Sequence, residues 1–124
     1  MTGTTKKSRS YQDLDVWRLS INLVKEIYRV IEKFPSSELY VLSSQIRKAA
    51  VSIPSNIAEG QGRNSSREFR QYLAVSLGSL SELETQLIIA QEIRHLTAEE
   101  LDPLLISIDT IRKMLRALSN SLRH

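Results

Sequence analysis

Residues 14–34 read LDVWRLSINLVKEIYRVIEKF, and the fold class rests on their spacing. Leu14, Trp17, Ile21, Val24, Tyr28 and Ile31 recur at alternating intervals of three and four, which puts them on one face of an α-helix and excludes a strand. Val16, Leu23, Ile27, Val30 and Phe34 widen that face, while Arg18, Asn22, Lys25, Arg29 and Glu32 hold the polar side. The apolar arc covers roughly 160°, more than the ~100° stripe that one core contact requires. A second interface is therefore expected on this helix.

The same period continues outward. Pro35 stops the first helix; Ser36 or Ser37 can cap the next, with Glu38 placed at the positive end of its dipole. Leu39, Leu42, Ile46, Ala49 and Ile53 keep the helical spacing, and Ile57 and Ala58 carry it past Pro54 to Gly60. Pro54 is expected to kink this helix without breaking it. Ser65-Ser66-Arg67-Glu68 forms a capping-box pattern ahead of the line Phe69, Leu73, Ser76, Leu80, Leu83, Leu87 and Ala90. Tyr72, Val75, Leu77, Ile88, Ile89 and Ile93 add apolar groups on other faces, so this third helix is expected to be the most enclosed. Ser76, Gly78 and Ser79 are small enough for a neighbouring backbone to come close. A second capping box, Thr97-Ala98-Glu99-Glu100, opens the line Leu101, Leu104, Ile108, Ile111, Leu115, Leu118 and Leu122. The spacing predicts helices at about 13–34, 37–60, 65–95 and 98–122, after a disordered basic tail at 1–10. Long helices on short connections imply an all-α, up-down-up-down antiparallel four-helix bundle as a single domain over 11–124.

Composition narrows the function. The 124 residues contain no cysteine, which excludes thiolate metal sites, thiol catalysis and a disulfide framework. No uninterrupted apolar run approaches the roughly 18 residues of a membrane span, so the chain reads as cytoplasmic, with no membrane partner. The net charge of +3 hides an asymmetry: residues 1–70 hold 12 basic and 7 acidic side chains, residues 71–124 hold 5 and 7. An anionic partner is expected to meet the first half. Di-iron bundles need two Glu-x-x-His motifs. Only Glu92-Ile93-Arg94-His95 exists here, and it reads as surface. Neither a metal, a cofactor nor a catalytic set is expected, and the chain reads as non-enzymatic. Gln45, Asn56, Glu59, Glu82 and Glu84 lie near apolar lines; the carboxylates are read as pairing with Arg47, Lys48 or Arg63 across helices or subunits.

The candidate site is Gly60 to Arg70. Flexible glycines precede a helix start that carries Ser65 and Ser66, and Arg63, Arg67 and Arg70 fall on one side of it. Arginine at a helix N-terminus opposes the dipole, and a bound phosphate would reverse that penalty. The competing reading makes Ser65 a plain cap, Glu68 a local ion-pair partner and the arginines solubilising. Arg47 and Lys48 on the second helix and Lys6, Lys7 and Arg9 in the tail are further basic groups for the same surface.

Several strings resemble one family. They are Tyr11 to Trp17 (YQDLDVW), Phe34-Pro35 followed by Glu38-Leu39-Tyr40, and Gln45 to Gly60 with its core Ser52-Ile53-Pro54-Ser55-Asn56-Ile57-Ala58-Glu59-Gly60. Gly62-Arg63 and Gly78 to Glu84 complete the set. Together they look like the bacterial four-helix-bundle proteins encoded in 23S rRNA intervening sequences. The resemblance implies a ring-like homo-oligomer, a pentamer, and does not imply a known catalytic activity. A fold relative, the accessory protein of diversity-generating retroelements, is a basic pentamer that binds nucleic acid and a reverse transcriptase. The sequence departs from the family pattern at Val41, where glycine is common, at Lys48, where arginine is common, and at Glu92-Ile93-Arg94, where a Leu-Gly-aromatic turn is frequent. Two functions are carried forward. One is RNA or DNA backbone binding through Arg63, Arg67, Arg70, Arg47, Lys48, Ser65 and Ser66; the other is a protein-interaction scaffold.

Overall fold

The computed structural model of the chain describes Tyr11 and residues 14–123. Its long elements are α1 (Asp15–Ile31), α2 (Leu42–Gln61), α3 (Ser66–Glu92) and α4 (Ala98–Ser121), with a 3₁₀ turn at Ser36–Glu38. The expected tail at 1–10 lies outside the described residues. α1 packs on α2, α2 on α3, α3 on α4 and α4 back on α1, while the diagonal pairs stay apart. This is a four-helix bundle around one aliphatic core.

The buried line of α1 is Val16, Ser20, Leu23, Ile27 and Ile31, continued by Phe34. The line that the spacing put first lies at the edge of the core: Ile31 is buried, Leu14, Trp17 and Val24 pack half-buried against the core, Ile21 is half-buried and Tyr28 is exposed. Ser20 misled the reading because its hydroxyl donates to Trp17 O at 2.7 Å, which lets a polar residue occupy an apolar position. Trp17, Ile21 and Val24 instead line a shallow groove with Val51, Pro54 and Ala58 of α2.

α2 begins at Leu42, five residues later than the spacing suggested. The intervening chain turns as the 3₁₀ element, and neither Ser36 nor Ser37 caps α2. Glu38 does so from a distance, its Oε1 accepting the Leu42 N–H at 3.4 Å. Pro54 sits inside α2 without ending it. Around it the carbonyls of Val51, Ser52 and Ile53 accept from Ser55 Oγ (2.7 Å), Asn56 Nδ2 (2.8 Å) and Ser76 Oγ (2.9 Å).

α2, not α3, is the more enclosed helix, with eight buried positions in 20 residues against eight in 27. Ser76 bonds Ile53 O, the Ser52 and Ser79 hydroxyls pair at 2.8 Å, and Gly60 lies under Tyr72. These contacts climb α3 as they descend α2, so the two helices are antiparallel. A Cβ on Gly60 would stand 2.6 Å from Tyr72 Cβ. Its φ is not positive, so close packing explains this glycine and a left-handed turn does not. Gly78, in contrast, faces open space.

By length and composition α3 could cross a membrane. Read as a window, it does what no uninterrupted run in the sequence does. Leu73, Leu80, Leu83 and Leu87 are fully buried in the bundle, and Val75, Ile88, Ile89 and Ile93 are exposed on its outer side. It ends three residues earlier than the spacing suggested, in a Schellman turn: Arg94 takes φ 70°, its N–H donates to Gln91 O, and the His95 N–H donates to Ala90 O at 2.8 Å. α4 opens with both halves of its capping box, Glu100 N–H to Thr97 Oγ1 (3.1 Å) and Thr97 N–H to Glu100 Oε1 (2.9 Å). Leu101, Leu104, Ile108, Ile111 and Leu115 are buried along it, in register with the sequence.

Candidate nucleic-acid interface

The connection from α2 to α3 brings Arg63, Ser65, Ser66, Arg67 and Arg70 to one end of the bundle. Ser65 is the N-cap of α3, its Oγ accepting the Glu68 N–H at 3.1 Å. Only this half of the box forms, and Glu68 is exposed. The first N–H groups of any helix have no acceptor within it, so the backbone here presents donors beside the two serines.

The three arginines differ. Arg63 Nη2 donates to Glu59 Oε2 at 2.5 Å and to Tyr72 OH at 2.7 Å, and the guanidinium lies over the Tyr72 ring, 5.0 Å from its centroid. Tyr72 first, and then Glu59, raise its pKa further above the ordinary guanidinium value. Arg63 is thus a clasp that ties the end of α2 to the second turn of α3, with its charge answered by Glu59. Arg67 is exposed and has no acidic partner within ion-pair distance among the described residues. Arg70 is half-buried, and its Nε is shielded from solvent without a hydrogen-bond partner.

Arg47 and Lys48 do not join this group. They stand near the start of α2, about 24 Å of helix rise from Arg63, and Arg47 Nη2 donates to Leu39 O at 3.3 Å. Arg47 therefore braces the α1–α2 connection. The carboxylates also find other partners than the sequence suggested: Glu84 Oε1 accepts from Arg112 Nη2 at 2.6 Å and Glu82 from Gln86 Nε2 at 3.3 Å. Glu59 does meet Arg63, one of the partners the sequence suggested, but as a local pair four residues apart and not across helices.

His95 is not a surface residue. Its Nε2 lies 2.9 Å from Glu38 Oε2 and its ring leans on Phe34, the centroids 5.6 Å apart, which joins the α3–α4 turn to the 3₁₀ turn. Glu92 is exposed. Among the described residues no three His, Asp or Glu side chains gather as metal ligands would.

The charge split by sequence halves missed one group. α4 runs back along α3, and its exposed cations Lys113, Arg116 and Arg123 lie toward the same end as Arg67. The signal was present in the sequence: no acidic residue follows Asp109.

The fold defines a four-helix bundle with a basic end built on a capped helix start. The family model for the 23S rRNA-intervening sequence protein matches residues 12–117, and the chain belongs to that family. A solved structure, a protein of unknown function from the S23 ribosomal protein family of Bacteroides thetaiotaomicron, is similar with a TM-score of 0.75. It is 23% identical, and the alignment covers 84% of this chain and 97% of that one. The likeness carries the fold. No curated protein matches the sequence.

Proposed function

We propose that the chain is a non-enzymatic homo-oligomer that holds RNA or DNA by the phosphate backbone at the α2–α3 end of the bundle. The observation that supports this most is Arg67, exposed and without an acidic partner among the described residues, beside Ser65, Ser66 and the unbonded Nε of Arg70 at the start of a 27-residue helix. Backbone donors, hydroxyls and guanidinium groups at a helix N-terminus form a phosphate site. Arg63 holds the connection in shape and contributes little free charge. In this reading the tail cations Lys6, Lys7 and Arg9, which lie outside the described residues, add contacts to the same polyanion.

Self-association is supported by the outer flank of α3, where Val75, Ile88, Ile89 and Ile93 are each more than two-fifths exposed. Light scattering is expected to give a mass several times the 14.1 kDa of one chain; a 14.1 kDa particle at micromolar concentration removes this part. For backbone binding, Arg67→Glu is expected to weaken duplex binding and to flatten its dependence on salt. An unchanged titration removes the phosphate reading.

A scaffold reading has one observation of its own. Leu39, Tyr40 and Val41 form an exposed apolar run at the opposite end, with Tyr40 at 88% exposure. Oligomerisation without salt-sensitive nucleic-acid binding favours it.

A further inference from the structure

We infer that the second half of α4 forms a second wall of the basic end, through Lys113, Arg116 and Arg123, and that the nucleic acid received there is double-helical. This rests on the backbone-binding function proposed above. Lys113, Arg116, Asn120 and Arg123 recur at intervals of three, four and three, all four are exposed, and they make one polar stripe on α4. The stripe is about 15 Å long. Its position follows from two contacts: Arg112 holds Glu84 about two-thirds of the way along α3, and Leu118 and Leu122 pack against the core beyond it, toward the start of α3. The last turns of α4 therefore lie beside the first half of α3, the part that begins at Ser66.

The charge of the stripe has no local use. Several exposed cations of the bundle are paired, Arg18 with Asp15, Arg29 with Glu26 and Lys33 with Glu100, while Lys25, Lys48 and Arg94 stand exposed and singly. Among the described residues, only on α4 do unpaired cations fall in a row. Lys113, Arg116 and Arg123 have no acidic side chain within ion-pair distance among the described residues, and Asp109 is already held by Arg112 at 2.7 Å. The dipole of α4 favours cations only in its last turn. Lys113 and Arg116 stand before that turn, which has no basic residue of its own. A row of unpaired cations parallel to a helix axis suits a row of phosphates.

The duplex follows from what the surface lacks. Single strands are held by stacking their bases on open aromatic rings. At this end Tyr72 is covered by Arg63, Phe69 packs on the core, and Tyr11 and Trp17 pack edge to face on each other with centroids 5.3 Å apart. No aromatic residue follows Tyr72. Cations without stacking rings read a paired backbone.

The test is fluorescence anisotropy of labelled duplex RNA, duplex DNA and the matching single strands, titrated across potassium chloride concentrations with the full chain. The triple variant Lys113→Gln, Arg116→Gln, Arg123→Gln is compared with Arg67→Glu. The slope of log K against log salt is expected to fall by about one per lost phosphate contact, so by about two to three in the triple variant, with helical circular dichroism unchanged. If that variant fails to fold, Lys113→Gln alone is expected to lower the slope by about one. A wild-type slope retained by the folded α4 variant, with Arg67→Glu still weakened, overturns the α4 wall and leaves the basic loop standing. Tighter binding to single strands than to either duplex overturns the double-helical assignment. If the wild-type chain shows no salt-sensitive binding at all, both this inference and the function it rests on are overturned.

Discussion

The two sides of the bundle are built differently. Between α2 and α3 the backbones approach each other: Gly60 lies under Tyr72, the Ser52 and Ser79 hydroxyls pair across the seam, and Ser76 Oγ donates to Ile53 O. Between α1 and α4 an open groove of about 770 Å³ remains, walled by Leu19, Leu23, Val30, Leu104 and Ile111, with Ile106 on its lip at 68% exposure. Small residues thus make the strong side and large ones the loose side. Stability depends on contact, and a small residue that admits a backbone makes more of it than a large one that faces water.

The widest gap is expected between Ile53 and Ile106. Ile53 is fully buried at the seam, and Ile53→Ala is expected to cost about 2–5 kcal/mol in chemical denaturation. Ile106→Ala should change stability by less than about 0.5 kcal/mol. A large loss at Ile106 at low protein concentration means that the loose side is held more firmly than the groove suggests.

The same contrast appears in two glycines. Gly60→Ala pushes a methyl group into Tyr72 Cβ at 2.6 Å and the Phe69 ring at 3.0 Å, and overpacking of this kind costs about 1–3 kcal/mol. Gly78→Ala meets nothing within 4 Å and should stabilise the chain by up to about 1 kcal/mol through helix propensity. One substitution with opposite signs, measured by thermal melts at matched concentration, isolates the effect of close approach. If Gly78→Ala destabilises and also lowers the oligomer mass, the open side of Gly78 is a subunit contact.

The sequence made some of this legible and hid the rest for physical reasons. The α4 line and its capping box could be read directly, because each depends on residues within a turn or two of one another. Period alone misjudged α1, where two apolar lines run side by side and the buried one contains Ser20. Of the candidate site, Arg63, Ser65, Ser66, Arg67 and Arg70 are neighbours in sequence and so stayed together. Arg47 and Lys48 seemed to belong with them by charge, yet a helix carries them to the far end. The acid-free run after Asp109 marks the α4 cations in the sequence, but that they share an end with Arg67, and that Tyr72 clasps Arg63, is visible only once the helices are placed side by side, since charge summed along a chain does not register which ends of helices meet.

The smallest expected effect tests what fastens the loose side. Glu100 lies at the end of the groove; the Thr97 N–H first, and then Lys33 at 3.0 Å, hold its carboxylate below the ordinary value near 4.5. A lowered folded pKa means that the contribution is fully present above the unfolded value and is lost as pH falls through the folded one. Lys33 is two-thirds exposed, so the pair adds only a few tenths of a kcal/mol up to about 1. Glu100→Gln is therefore expected to melt slightly lower than the wild type at pH 7, with the difference shrinking below about pH 4.5 and vanishing in stronger acid. Lys33→Met keeps the Thr97 bond, so it should lose less, and high salt should mimic it by screening the exposed pair. A difference that persists unchanged at low pH shows that Glu100 acts through packing, and the fastening of α1 to α4 must then come from apolar contact, to which Leu23, Leu104 and Ile111 contribute.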